Sequence, residues 1–264
     1  MNSTQDDVAS QDIAIGMARQ SLYRFTALAL LDPAAGRWRQ LNELRDGPLL
    51  TGAALLLRDE PGCDADTLGP GEQPISALDP NTVFRRLPGC SEALNEEYES
   101  TFGLLVSNAC PPYETDYINS KFTFQRSNTL GDIAGFYRAF GLAPSTQFPE
   151  RPDHIVMELE FMAFLIGHQR RAEQEHAPDR IAVCRAAQAR FLSEHLAWWT
   201  PAFARLLTRE NPAGFYEAVG LFLAALVPAE RSLLGVTVSA EKPQPSFVER
   251  SEECDQCALT QLDG

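Results

Sequence analysis

Apolar residues recur along most of this chain at the three- and four-residue spacing of an amphipathic helix, and no stretch alternates convincingly with period two. Between Asp12 and Leu31, Ile13, Met17, Leu28 and Leu31 join Tyr23 and Phe25 in a roughly helical pattern that Asp32-Pro33 ends. A second helix starts after Pro33 and carries Trp38, Leu41 and Leu44; a third covers Leu49 to Leu57. Residues 59–78 are rich in Pro, Gly and Asp and read as an exposed loop. Asp79-Pro80 supplies an N-cap and a first-position Pro for a short helix through Phe84. Ser91 to Phe102 is helical, with Leu94, Tyr98 and Phe102 on one face.

Cys110-Pro111-Pro112 forces an extended segment, because Pro disfavours helix at the residue before it. Asn128 can cap a helix that runs through Phe140 and stops at Gly141. The clearest helix lies in ERPDHIVMELEFMAFLIGHQRR. Pro152 suits its first turn, Asp153 its positive end, and Arg170 and Arg171 its negative end. Ile155, Leu159, Met162 and Ile166 form its core stripe. Helices over 179–208 and 213–226, with a short one near 229–235, complete the pattern. The expected fold is all-α, a helical bundle with a larger N-terminal and a smaller C-terminal part. The expected segments are a disordered N-terminus (1–11), an N-terminal helical part (12–143), a hinge loop (144–152), a C-terminal helical part (153–236) and a flexible acidic tail (237–264).

Composition narrows the partners. With 44% hydrophobic residues the 264-residue chain can bury a sizeable core. A formal net charge of -14 repels phosphate backbones and anionic lipid headgroups, so neither nucleic acid nor membrane is expected. The same charge attracts cationic partners, including peptides that bear Arg or Lys, although acidity also serves plain solubility. The most apolar run, Phe215 to Val227, contains Glu217 and falls short of the roughly 20 apolar residues that span a bilayer. The start, MNSTQDDVASQD, has no basic and no apolar region of a signal peptide. A cytoplasmic protein is expected, with its six cysteines mostly as thiols.

Enzyme signatures are absent. There is no phosphate loop, no Gly-rich dinucleotide turn and no nucleophile elbow, so no catalytic residue and no cofactor is expected. Glu173 and His176 form a lone E-x-x-H ahead of Pro178, which reads as a solvated helix end. His168 and His195 lack metal-ligand spacing and read as surface or packing residues. Cys254 and Cys257 form a C-x-x-C in the tail. They could bind zinc or complete a cluster with a partner's thiols, but two cysteines do not close a four-ligand site, and an acidic tail with incidental cysteines is the other reading.

Two segments stand out from generic packing. CPPYETDY at 110–117 combines stiffening prolines with Tyr113, Glu114, Asp116 and Tyr117. Carboxylates pair bidentately with guanidinium groups and aromatic faces stack on them, so this segment either recognises a cationic peptide or is a rigid connector. ERPDH at 150–154 places Asp153 and His154 at a helix start beside the 144–152 loop, where a groove between two lobes or a simple helix cap is expected.

Taken together, CPPYET at 110–115, GFYRAFGL at 135–142 and ERPDHIVMELEFMAFL, with ARQSLYRFTALALLDP and EEYESTF earlier, resemble the TorD/DmsD/NarJ family of redox-enzyme maturation chaperones. The resemblance covers roughly residues 13–235. It implies an all-α fold of two helical parts joined by a hinge. It also implies a chaperone, not an enzyme, that binds the N-terminal leader of a molybdopterin oxidoreductase catalytic subunit, often a twin-arginine leader. Such a chaperone holds the apoenzyme until cofactor insertion and before export. The family's hinge signature maps onto Glu150, Asp153 and His154, and its aromatic helix signature onto Tyr98 and Phe102, with Thr101 where a Leu is usual. For an acidic groove the candidates are Glu114, Asp116, Asp153 and Glu158, walled by Tyr113, Tyr117 and Phe136. A monomer or a dimer is compatible with this reading. The alternatives are a GTP-binding helical protein and a structural subunit that stays bound in an oxidoreductase complex.

Overall fold

The computed structural model describes residues 3–34, 36–65, 67–103, 109–118, 123–143, 145 and 150–237. Among the described residues the architecture is all-α, without a strand. In chain order the α-helices are α1 (Ser3–Leu30), α2 (Arg37–Arg45), α3 (Pro48–Arg58), α4 (Pro80–Arg86), α5 (Ser91–Phe102), α6 (Thr123–Ala139), α7 (Ile155–Gln174), α8 (Pro178–Phe191), α9 (Ala197–Glu210) and α10 (Phe215–Leu234). A π turn, Leu192–Leu196, joins α8 to α9 without a break in helical backbone. No helix among the described residues is long and apolar enough to cross a membrane. The acidic tail with Cys254 and Cys257 lies outside the described residues.

Helix α10 is the centre. From Phe215 to Glu230 it is buried on nearly every side, as a helix apolar all round must be. Helices α1, α4, α5, α8 and α9 pack around it, and α1 lies along α7. Phe25 of α1 bridges Phe84 of α4 and Phe222 of α10, with ring centroids 5.3 and 5.5 Å away. The stripe Ile155, Leu159, Met162 and Ile166 on α7 is fully buried as expected. Buried residues from 12–143 and from 153–236 belong to one continuous core.

Four expectations need correction. Helix α1 begins at Ser3, so residues 3–11, expected as a disordered N-terminus, are helical. Helix α6 begins at Thr123 rather than at an Asn128 cap, because a largely exposed polar first stretch leaves no apolar period to read. Residues 213–226 and 229–235 are one helix, and Pro228 lies inside it. A Pro there cannot bond the carbonyl four residues back; Gln73 N donates to that carbonyl, Ala224 O, at 2.9 Å instead.

That bond corrects the fourth expectation. Residues 59–78 are not an exposed loop but a strap across α9 and α10. Cys63 and Leu78 are fully buried. Arg231 forks onto the Glu72 carboxylate at 2.7 and 3.0 Å. Arg205 Nη1 donates to Pro70 O at 2.8 Å. Pro, Gly and Asp fit the strap's turns, and turn composition alone does not report what the turns lie against.

Candidate recognition site

The two segments that stood out in the sequence meet in space. An isolated antiparallel bridge joins Tyr113 to His154, with Glu114 N donating to Asp153 O at 2.9 Å and Ile155 N to Pro112 O at 2.8 Å. Pro111 and Pro112 keep the first segment extended, and so able to pair with the second. Tyr137 Oη, from α6, donates to Pro152 O at 2.8 Å and ties a third element to the clasp.

Asp153 is the hub. Its side chain is fully buried and accepts from Thr115 N at 3.2 Å and Thr115 Oγ1 at 2.8 Å. Arg151 forks onto the same carboxylate, Nε at 3.0 Å and Nη2 at 2.8 Å. The Arg151 guanidinium also lies 4.1 Å from the centre of the Tyr113 ring. The carboxylate-plus-aromatic arrangement read from the sequence as suited to a guanidinium therefore exists, and the chain's own Arg151 fills it. Sequence reasoning passed over Arg151, although it stands two residues from Asp153 in the same motif.

Asp153 and His154 do not line an open cleft: the first is fully buried and the second nearly so. The bridge and the Asp153 bonds close the described junction around these two side chains. His154 caps α7, its Nδ1 accepting from Val156 N at 3.2 Å, while the Tyr113 ring stands edge-on to it. Burial holds the His154 pKa below its usual value, against the opposing pull of Glu150 and Asp153.

The other expected residues divide between interior and surface. Glu114 is fully buried and accepts from Trp198 Nε1 at 2.7 Å, with His195 Nδ1 3.1 Å away. Glu158 is fully buried and accepts from Trp199 Nε1 at 3.1 Å. Phe102 is buried, packed 5.1 Å from the Tyr216 ring, and half-buried Tyr98 packs on Phe102. Tyr117 donates to Pro111 O at 2.9 Å and lies against Trp199. Phe136 is half-buried beside Phe191 and His195.

Tyr113, Asp116 and Glu150 keep exposed surface, and Arg151 joins them. Asp116 faces Arg126 at 3.5 Å. Burial pushes the Tyr98 hydroxyl up to about 12, and the charges of Asp32, Tyr113 and Glu150 add to the rise. Tyr113 is raised by burial and then by Glu150. Among the described residues, the accessible groups here are the rings of Tyr98 and Tyr113, the carboxylates of Asp116 and Glu150, and the guanidinium groups of Arg151 and Arg126, which are already paired.

His195, expected at the surface or in packing, is fully buried between carboxylates. Trp198, which shares the Glu114 carboxylate with it, stands three residues on, one helical step along the chain. That spacing was the only sequence signal for the cluster around Glu114.

A family model described as nitrate reductase delta subunit matches residues 82–205, a stretch that contains both halves of the clasp. Over these residues, a little under half of the chain, it is similar to the nitrate reductase delta subunit family. It is 40% identical over 114 residues to a selenate reductase assembly chaperone protein of Thauera selenatis, covering 42% of this chain and 55% of that protein. It is 35% identical over 127 residues to a perchlorate reductase assembly chaperone protein of Dechloromonas aromatica, 47% of this chain and 55% of that one. A chaperone protein TorD of Aliivibrio salmonicida is 28% identical over 127 residues, 48% of this chain and 57% of that one. The matches span a little over half the length of these curated relatives. By name these relatives are chaperones, not enzymes.

Proposed function

We propose that this protein is an assembly chaperone for a molybdopterin-dependent oxidoreductase, acting in the cytoplasm on the leader of the catalytic subunit before cofactor insertion and export. The observation that carries this reading is that residues 82–205, the stretch shared with the family, enclose a clasp built for guanidinium chemistry. Asp153 and Tyr113 hold Arg151 by a bidentate pair and a cation–π contact. A twin-arginine leader offers the same groups followed by an apolar, helix-forming run. Glu150 and Asp116, the accessible carboxylates beside the clasp, meet the arginines, and the half-buried rings of Tyr98 and Tyr113 meet the apolar part. The overall acidity of the chain steers such a peptide toward it.

Titration calorimetry of the full chain with a synthetic Arg-Arg leader peptide of a molybdopterin catalytic subunit tests this. Binding is expected, weakened about tenfold by the surface change Glu150→Lys combined with Asp116→Lys. Absence of binding to any such leader, or identical affinity in the double variant, overturns the reading. These positions are preferable to Asp153 and His154, whose removal disturbs the interior as well as the surface.

A further inference from the structure

Among the described residues, Asp132, Glu194 and His195 bring one potential ligand atom each to within 4.8 Å of one another. Two carboxylates near an imidazole are common on protein surfaces, and proximity alone assigns nothing. Here the imidazole is different. His195 is fully buried, and its Nε2 makes no hydrogen bond, yet it points at the cluster, 3.4 Å from Asp132 Oδ2 without hydrogen-bonding geometry. A buried ring nitrogen left without a partner calls for an explanation.

The other ring nitrogen has a partner. Nδ1 lies 3.1 Å from Glu114 Oε2, inside the protein where both side chains are fully buried. With the Glu114 carboxylate as acceptor, Nδ1 donates to it and Nε2 is left with its lone pair toward the cluster. A carboxylate behind a histidine whose other nitrogen is free is the arrangement that orients metal-binding imidazoles. Trp198 Nε1 donates to the opposite oxygen of Glu114 at 2.7 Å and holds that carboxylate in place. The rings of Phe136 and Phe191, 5.4 and 5.1 Å from the imidazole, give it an apolar flank.

Backbone geometry adds to this. Glu194 and His195 lie in the π turn. A π turn packs more residues into each turn than an α-helix, so successive side chains diverge less, and such turns concentrate at functional sites. Asp132 approaches from α6. Arg190 Nε donates to the two Glu194 oxygens at 2.9 and 3.1 Å. Glu194 thus already draws a positive charge.

We propose that Asp132, Glu194 and His195 form a binding site for a divalent first-row transition ion such as Zn²⁺, with Glu114 as the positioning residue behind the imidazole. One nitrogen and two oxygens suit zinc, and three protein ligands leave coordination positions open to water. The site shares no residue with the proposed leader-binding face, and its assignment does not rest on that reading.

The test is Zn²⁺ titration by calorimetry on the full chain carrying Cys254→Ser and Cys257→Ser, which removes the tail thiols as competing ligands. About one ion per chain is expected, with affinity reduced at least about tenfold by Asp132→Asn and likewise by Glu194→Gln. Both changes are at accessible side chains, and far-UV circular dichroism confirms that the helices persist. Long-range proton–nitrogen NMR provides a second reading: Nε2 of His195 should shift from an unprotonated to a metal-bound value on adding Zn²⁺. No Zn²⁺ binding, binding unchanged in both variants, or a His195 signal that does not move overturns the proposal.

Discussion

His154 does two jobs that both require it to be neutral. Its Nδ1 must accept from Val156 N to cap α7, which a doubly protonated ring cannot do. Its burial also penalises the charged form. Glu150 and Asp153 favour the proton and Arg151 opposes it, and burial outweighs the carboxylates. The folded-state pKa is therefore below the unfolded value of about 6.5. Between those two values the unfolded chain binds more protons than the folded one, so stability falls as the pH drops below about 6.5 and stops falling on this account beneath the folded pKa. Within that window the slope approaches about 1.4 kcal/mol per pH unit. Asn is among the best N-caps and does not titrate. The His154→Asn protein should therefore keep the helix start and lose this part of the pH dependence. Urea unfolding between pH 7 and 5 should give a flatter profile for the variant; parallel profiles would show that His154 charges as easily folded as unfolded.

At the scale of elements, the strap over 67–78 shows why a helix with an internal Pro can be continuous. Ala224 O, which Pro228 leaves without a helical partner, is satisfied from outside by Gln73 N. Gly71 makes the strap's approach possible. Its φ of 94° is disfavoured for other residues, and a Cβ there would stand 2.6 Å from Pro201 O. Gly71→Ala should therefore destabilise the protein by about 1–3 kcal/mol, read as a lower urea midpoint, and an unchanged midpoint would mean that the strap is not held against α9. None of this was legible in the sequence. The helices that bury a stripe, such as α7, announced themselves by their period, as did the Asp79-Pro80 start of α4. The strap carries its information in backbone contacts with residues over a hundred positions away, and these leave no periodic trace. The recognition segments were legible as chemistry, because an aromatic and acidic pair of motifs is unusual composition. Which of their acids turn inward was not, because Glu114 and Glu158 are held by Trp198 and Trp199, and those pairings exist only once α9 packs beside them.

Across the whole molecule, one buried ion pair fastens the first helix to the last. Arg19 of α1 forks onto Glu230 of α10, Nε and Nη2 each at 2.7 Å, and Nη2 also reaches Gln188 of α8 at 2.8 Å. Gln188 passes the chain of bonds to Gln169 of α7 at 2.7 Å, so four helices share one polar seam through an apolar core. In sequence Arg19 reads as an ordinary polar-face residue, and its partner lies 211 positions away. Taking both charges out of water is costly, and their attraction does no more than offset that cost in many proteins; removing one partner alone leaves the other charged and buried. Arg19→Met should therefore cost about 3–5 kcal/mol, enough to unfold a chain of ordinary stability under mild denaturant. Adding Glu230→Met should recover much of that loss, although Gln188 still lacks its donor. The decisive measurement is the difference in unfolding free energy between the single and double variants. A double variant less stable than Arg19→Met would mean that the pair holds the four helices together by net attraction; the recovery expected here would mean that it sets which helices meet and leaves the apolar core around α10 to hold them.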